Sequence, residues 1–196
     1  MRIVRWFTIG IPLLVPLAGM FAVLALPFVL ASAMFGPWTP AKPKLAFVTN
    51  CVAEFWTIAA FGVEAAKKEC DVDVNVYMPP TNTVSEQKKI LEDLLAKGTD
   101  GIALSCIDPD NMTALVDKVA SKTLLITHDS DAPKSKRLCY VGMDNYDAGR
   151  LCGKLIARAI PQGGPVVILV GNLDQDNSKR RRQGIIDELL GRSSDP

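Results

Sequence analysis

From Lys44 onward, four short apolar runs alternate with segments of helical period, and this alternation limits the fold more than any other feature of the chain. The runs are Leu45–Val48, Val72–Tyr77, Gly101–Leu104 and Leu124–Thr127. Each is aliphatic or β-branched in the main, and a helix-length stretch separates it from the next. Such alternation predicts a parallel sheet with helices on both faces. Sheets of this kind take ligands beyond the carboxyl ends of their strands. The residues expected there are Thr49 and Asn50, Phe55 and Trp56, Ser105, and His128 with Asp129. Aromatic faces beside a carboxylate suit a small polyhydroxylated molecule.

The connecting segments carry their own signals. Phe55, Ile58, Ala59, Val63 and Ala66 recur at helical spacing, and their helix is expected to end near Cys70. Thr83 and Glu86 read as a capping box, hydroxyl at the cap and carboxylate three residues later. Ile90, Leu91, Leu94 and Leu95 then form one stripe, which Gly98 stops. Asp108-Pro109 is an acidic cap followed by proline at the first helical position. Met112, Leu115, Val116 and Val119 make the buried face behind it.

A fifth short strand, Leu138–Val141, precedes Gly142-Met143-Asp144-Asn145. Asn145 is expected to cap a helix bearing Leu151, Leu155 and Ile156, which Pro161 ends and the Gly163-Gly164 turn follows. Val166–Val170 reads as the clearest buried strand of the chain. A last helix starts near Asn177, runs through Ile185, Ile186, Leu189 and Leu190, and stops at Gly191. One strand with a helix on each side buries too little for a core of its own. The expectation is an N-terminal portion of something longer.

The first 33 residues stand apart. A basic start, Met1 to Arg5, leads into an uncharged apolar block from Trp6 to Leu30 and the small-residue exit Ala31-Ser32-Ala33. That order describes a secretory signal, and the block is also long enough for an uncleaved anchor or membrane tether through residues 7–30. Either reading puts the rest of the chain outside the cytoplasm, in the periplasm or cell envelope. Residues 34–43, with Pro37, Pro40 and Pro43, read as a semi-rigid linker. A formal net charge of +1 gives no case for a nucleic-acid partner. The five cysteines show no metal-ligand spacing. Cys51 and Cys106 follow the first and third strands, neighbours in a 2-1-3-4 order; they either pair or serve as small buried apolar residues.

In their order and spacing, several segments together resemble the periplasmic sugar-binding proteins of ABC importers, the ribose- and xylose-type, which share a fold with LacI-type regulators. They are Leu45–Asn50 followed by Phe55-Trp56, Gln87–Ala103, Leu125–Ser130, Val141–Asn145, and Asn177–Arg181 with Gly184. The resemblance implies a type I periplasmic binding protein fold. Its first lobe, residues 44–142, would be a Rossmann-like, doubly wound α/β sheet of order 2-1-3-4-5. Residues 143–196 would hold the hinge crossing and the start of an incomplete second lobe. It also implies a sugar between the lobes and a membrane permease as partner.

On that map Phe55-Trp56 takes the place of paired aromatics that stack on the sugar ring, where an apolar C–H face needs desolvating. Asp129 takes the place of the aspartate that accepts from sugar hydroxyls; a carboxylate offers about four lone-pair sites. The family's next residue is an arginine, and here it is Ser130. Thr49, Asn50 and Ser105 are further polar candidates, and Lys179, with Arg181 as its substitute, matches a ligand-binding arginine of the second lobe. His128, the only histidine, reads as a strand-end polar residue and builds neither a metal site nor a relay unaided. No cofactor is implied. The chain has no G-x-G-x-x-G, G-x-S-x-G or Walker loop, so a binding receptor is favoured over an enzyme. A membrane-anchored sugar-sensing ectodomain of a signalling receptor is the alternative. A LacI-type regulator is disfavoured, because an apolar export segment stands where a helix-turn-helix would be.

Overall fold

The structure, a computed structural model, describes residues 41–193. The signal or anchor expected over residues 1–33, and most of the linker after it, lie outside the described residues.

Five parallel strands form one sheet: β1 (Lys44–Val48), β2 (Asp73–Tyr77), β3 (Gly101–Leu104), β4 (Leu124–His128) and β5 (Tyr140–Val141). Their order is β2-β1-β3-β4-β5, as expected from the sequence. The crossovers are α1 (Glu54–Glu69), α2 (Val84–Ala96) and α3 (Pro109–Ala120). Side chains alternate across a strand, so Ala46, Val48, Ile102, Leu104 and Leu125 share one face. There they meet Leu91 and Leu94 of α2 and Met112, Val116 and Val119 of α3 in a closed core. The opposite face carries Leu45, Phe47 and Ile126 and meets α1 across an apolar trough of about 330 Å³.

The helix signals act as expected, with small shifts. The Thr83 hydroxyl accepts from Glu86 N at 3.4 Å, while the Glu86 carboxylate turns back to Thr81 instead of to the cap itself. Asp108 accepts from Asn111 N at 3.2 Å, with Pro109 in the first turn. Gly98 and Gly191 end their helices at φ of 66° and 62°, the left-handed region that glycine enters freely.

Four expectations fail in α1 and the second half. Ile58 of the predicted apolar stripe is 71% exposed, and Trp56 is the buried residue of α1. The cap of α4 (Asn145–Ala159) is Asp144, whose carboxylate accepts from Tyr146 N and Asp147 N; Asn145 is already helical. The face of α4 that packs on α5 (Asp176–Leu189) holds Tyr146, Gly149 and Gly153, while Leu151 and Leu155 stay exposed. A side-chain carbon added at Gly149 would collide with the Arg181 carbonyl, and one at Gly184 with that of Tyr146. Most clearly, Val166–Val170 is neither a strand nor buried: Val167 is 83% and Leu169 91% exposed. A strand exists only as a member of a ladder, and no other strand follows β5 among the described residues.

The five cysteines are free. Cys106 is the buried one; burial pushes its thiol up to about 12, and its Sγ lies 4.0 Å from Met112 Sδ.

Candidate functional site

The carboxyl ends of β1, β3 and β4 converge on one carboxylate. Asp129 follows the last residue of β4 and turns the chain out of the sheet at φ 57°, a left-handed conformation that aspartate tolerates better than most residues. The Tyr140 hydroxyl holds the turn by donating to the Asp129 carbonyl at 2.9 Å. Oδ2 of Asp129 collects three neutral donors. Ser105 Oγ reaches it at 3.0 Å from the end of β3, Asn50 Nδ2 at 3.2 Å from the end of β1, and Asn177 Nδ2 at 3.4 Å from the first turn of α5. Oδ1 receives no side-chain donor among the described residues.

Asn50 ties this carboxylate to the aromatic pair, because its Oδ1 accepts from Trp56 Nε1 at 3.1 Å. Trp56 is 3% exposed and packs edge-on against Phe47 and His128. His128 lies stacked on Phe47 with centroids 4.2 Å apart. Burial pushes the His128 imidazole down from its ordinary value, outweighing the opposing pull of the Asp129 charge, so the ring is neutral at pH 7. The free aromatic surface belongs to Phe55, 62% exposed with its ring 4.8 Å from that of Trp56.

The expected site residues therefore separate. Asn50, Ser105, Asp129 and Trp56 share one hydrogen-bonded cluster with Phe55 against its edge. Thr49 is outside it: fully buried, it donates to the Cys51 carbonyl at 2.8 Å and shapes the turn after β1. Lys179 is outside it too, because its Nζ pairs with Asp110 of α3 at 2.7 Å. Two residues off in the same turn, Asn177 is the one that reaches Asp129. A shift of two positions swings a side chain by about 200° around a helix, so composition of the turn could not choose between them.

Gln87 was missed as a positioning residue. Fully buried on α2, it donates to the Thr49 carbonyl at 2.9 Å and the Ser105 carbonyl at 2.7 Å, and accepts from Ile107 N at 3.0 Å. One side chain thus fixes the ends of β1 and β3 relative to each other. Its signal is a polar residue on the Leu91/Leu94 stripe.

Two openings flank the cluster. One, about 600 Å³, lies between Asn50, Cys51 and Asn82 and the segment from Val170 to Gln175. The other, about 430 Å³, lies among Asp131, Arg137, Tyr140, Asn145, Asp176 and Arg180. In the second, burial raises the Asp131 carboxyl, but the Arg137 bonds at 2.5 and 2.6 Å and a Thr127 bond outweigh it and hold the group below its ordinary value. Burial pushes the Asp176 carboxyl up, against the pull of Arg180.

Comparison with known proteins places the chain in a family. Residues 46–195 match the periplasmic binding protein domain. The chain belongs to that family. Among its relatives, the D-ribose/D-allose-binding protein of Pseudomonas aeruginosa is 26% identical over 163 residues, covering 77% of this chain and 51% of that protein. A solute-binding protein of an ABC transporter from Burkholderia graminis, solved with D-arabinose, superposes with a TM-score of 0.74 at 28% identity, covering 78% of this chain and 54% of that one. A glucose-galactose binding protein, GanP of Geobacillus stearothermophilus, gives 0.73 at 28% identity, covering 76% and 54%. The chain thus spans about half the length of these periplasmic binding proteins, and its sheet is the α/β lobe of their type I fold.

Proposed function

We propose that this chain supplies the gripping face of an exported receptor that captures a monosaccharide between two lobes and hands it to the membrane permease of an ABC importer. The observation that carries the reading is Asp129 at the sheet's carboxyl edge: its Oδ1 takes no side-chain donor among the described residues, and its Oδ2 is tied through Asn50 to Trp56, whose ring lies 4.8 Å from the exposed Phe55. A carboxylate oxygen accepts from two neighbouring hydroxyls, while an aromatic face covers the apolar side of the ring. The named relatives support the same reading. The apolar start of the chain supports export, by a cleaved signal or by a tether through residues 7–30. Binding without turnover fits a site of one carboxylate, neutral amides and hydroxyls.

Closure has a physical route in this reading. Residues 44–142 form the first lobe and residues 143–196 the hinge crossing and the start of the second. Asn145, just past the crossing, donates to the Tyr140 hydroxyl at 3.3 Å and accepts from Arg181 at 2.6 Å. Tyr140 in turn holds the Asp129 backbone. The crossing, the second-lobe helix and the Asp129 backbone are therefore hydrogen-bonded in series, and a ligand on Asp129 that also meets α5 favours the closed arrangement.

Calorimetry of the full-length protein with pentoses and hexoses tests the reading. Asp129→Ala is expected to abolish sugar binding. Phe55→Ala is expected to weaken it by roughly 0.5–1.5 kcal/mol, the worth of an aromatic contact beyond its area, with the melting temperature unchanged. Wild-type affinity in both variants would remove the site from consideration.

A further inference from the structure

We propose that the ligand of this site carries a protonated amine, as an amino sugar or amino polyol, and that Asp129 selects it; this rests on the receptor reading above. The argument is a count of donors, acceptors and charge. Asp129 pairs with no cation among the described residues, and its three partners, Asn50, Ser105 and Asn177, are all neutral. The basic side chains of the neighbouring segments have partners other than Asp129. Arg137 holds Asp131, Lys179 holds Asp110, Arg180 lies 3.9 Å from Asp144, and Arg181 donates to Asn145. The residue after Asp129, Ser130, is fully buried and brings no charge. The anion is therefore left for the ligand to neutralise.

A second, independent observation points the same way. Asn177 is 9% exposed, and its Oδ1 is buried without a hydrogen-bond partner among the described residues. Its Nδ2 donates to Asp129, so the amide orientation is set by the network and the orphan is an acceptor. Two unfilled acceptors, Asp129 Oδ1 and Asn177 Oδ1, thus sit on side chains joined by a hydrogen bond. An ammonium has three donors and no acceptor, whereas a hydroxyl has one donor and brings lone pairs of its own. An ammonium thus brings donors for such acceptors together with the opposite charge, and it adds no acceptor of its own.

The test compares D-glucosamine, D-galactosamine and D-mannosamine with D-glucose, D-galactose and D-mannose, and with N-acetyl-D-glucosamine, by calorimetry on the full-length protein at pH 7. At least one amine is expected to bind roughly tenfold or more tightly than its neutral parent, and N-acetylation to remove the gain. Asp129→Asn keeps a residue that tolerates the left-handed turn and removes the charge, so it is expected to fold and to lose the preference. Neutral sugars that bind as well as the amines, or a preference that survives in Asp129→Asn, overturn the inference and leave the receptor reading standing. Absence of binding by every sugar in both series overturns the two together.

Discussion

Gln87 shows how much one buried polar side chain can position. Its amide, fully buried, satisfies the Thr49 and Ser105 carbonyls and the Ile107 N–H. Gln87→Leu keeps the volume and strands all three groups. A buried unsatisfied group costs about 1–3 kcal/mol, so denaturant unfolding is expected to register at least that loss, and a variant as stable as the parent refutes the brace. Ligand affinity is expected to fall as well, because Asn50 and Ser105 follow the strand ends that Gln87 aligns. The residue was legible in the sequence as a polar break in an apolar stripe, yet its purpose was not, since its partners are carbonyls 18 and 38 residues away. Thr49 is the converse. Its hydroxyl had the right place after β1, but nothing in the sequence tells that the Cys51 carbonyl takes it.

At the scale of elements, local chemistry was readable where it is self-contained. The first four strand runs, the Asp108 cap and the glycine stops each depend on a few neighbouring residues, and each forms as expected. The α4–α5 pair was not readable in this way. Its contact surface is built from Gly149, Gly153 and Gly184, which a search for apolar stripes passes over, while Leu151 and Leu155 point away. Close approach of the two backbones is set by missing side chains, and Tyr146 fastens it through its hydroxyl to buried Asp187 at 3.0 Å. Gly149→Ala or Gly184→Ala is expected to destabilise by about 1–3 kcal/mol, the usual cost of overpacking, although alanine is the better helix former. A rise in melting temperature for either variant would show that the helices do not cross this closely. Val166–Val170 failed for a related reason: an apolar run specifies that it needs a ladder, not where the ladder is.

For the whole molecule, acidification is expected to lower stability in two stages. Burial depresses His128, so the unfolded chain binds a proton that the folded one refuses, and stability falls as the pH drops below about 6.5, the ordinary histidine value. Asp131 is opposed by burial but depressed by Arg137, so its contribution is whole above the ordinary carboxylate value of 3.8 and is lost as the pH falls through its lower folded value. Melting temperature measured from pH 8 to 3 checks both, with Asp131→Asn expected to flatten only the most acidic part. A flat profile across neutral to mildly acid pH would mean the imidazole is not excluded from water.

The hydrogen bond between Asn177 and Asp129 measures 3.4 Å, near the outer limit of such bonds. It spans the two halves of the chain, so a seam between them is already half made. In the proposed receptor, a guest on the other carboxylate oxygen would tighten that seam rather than build one from nothing.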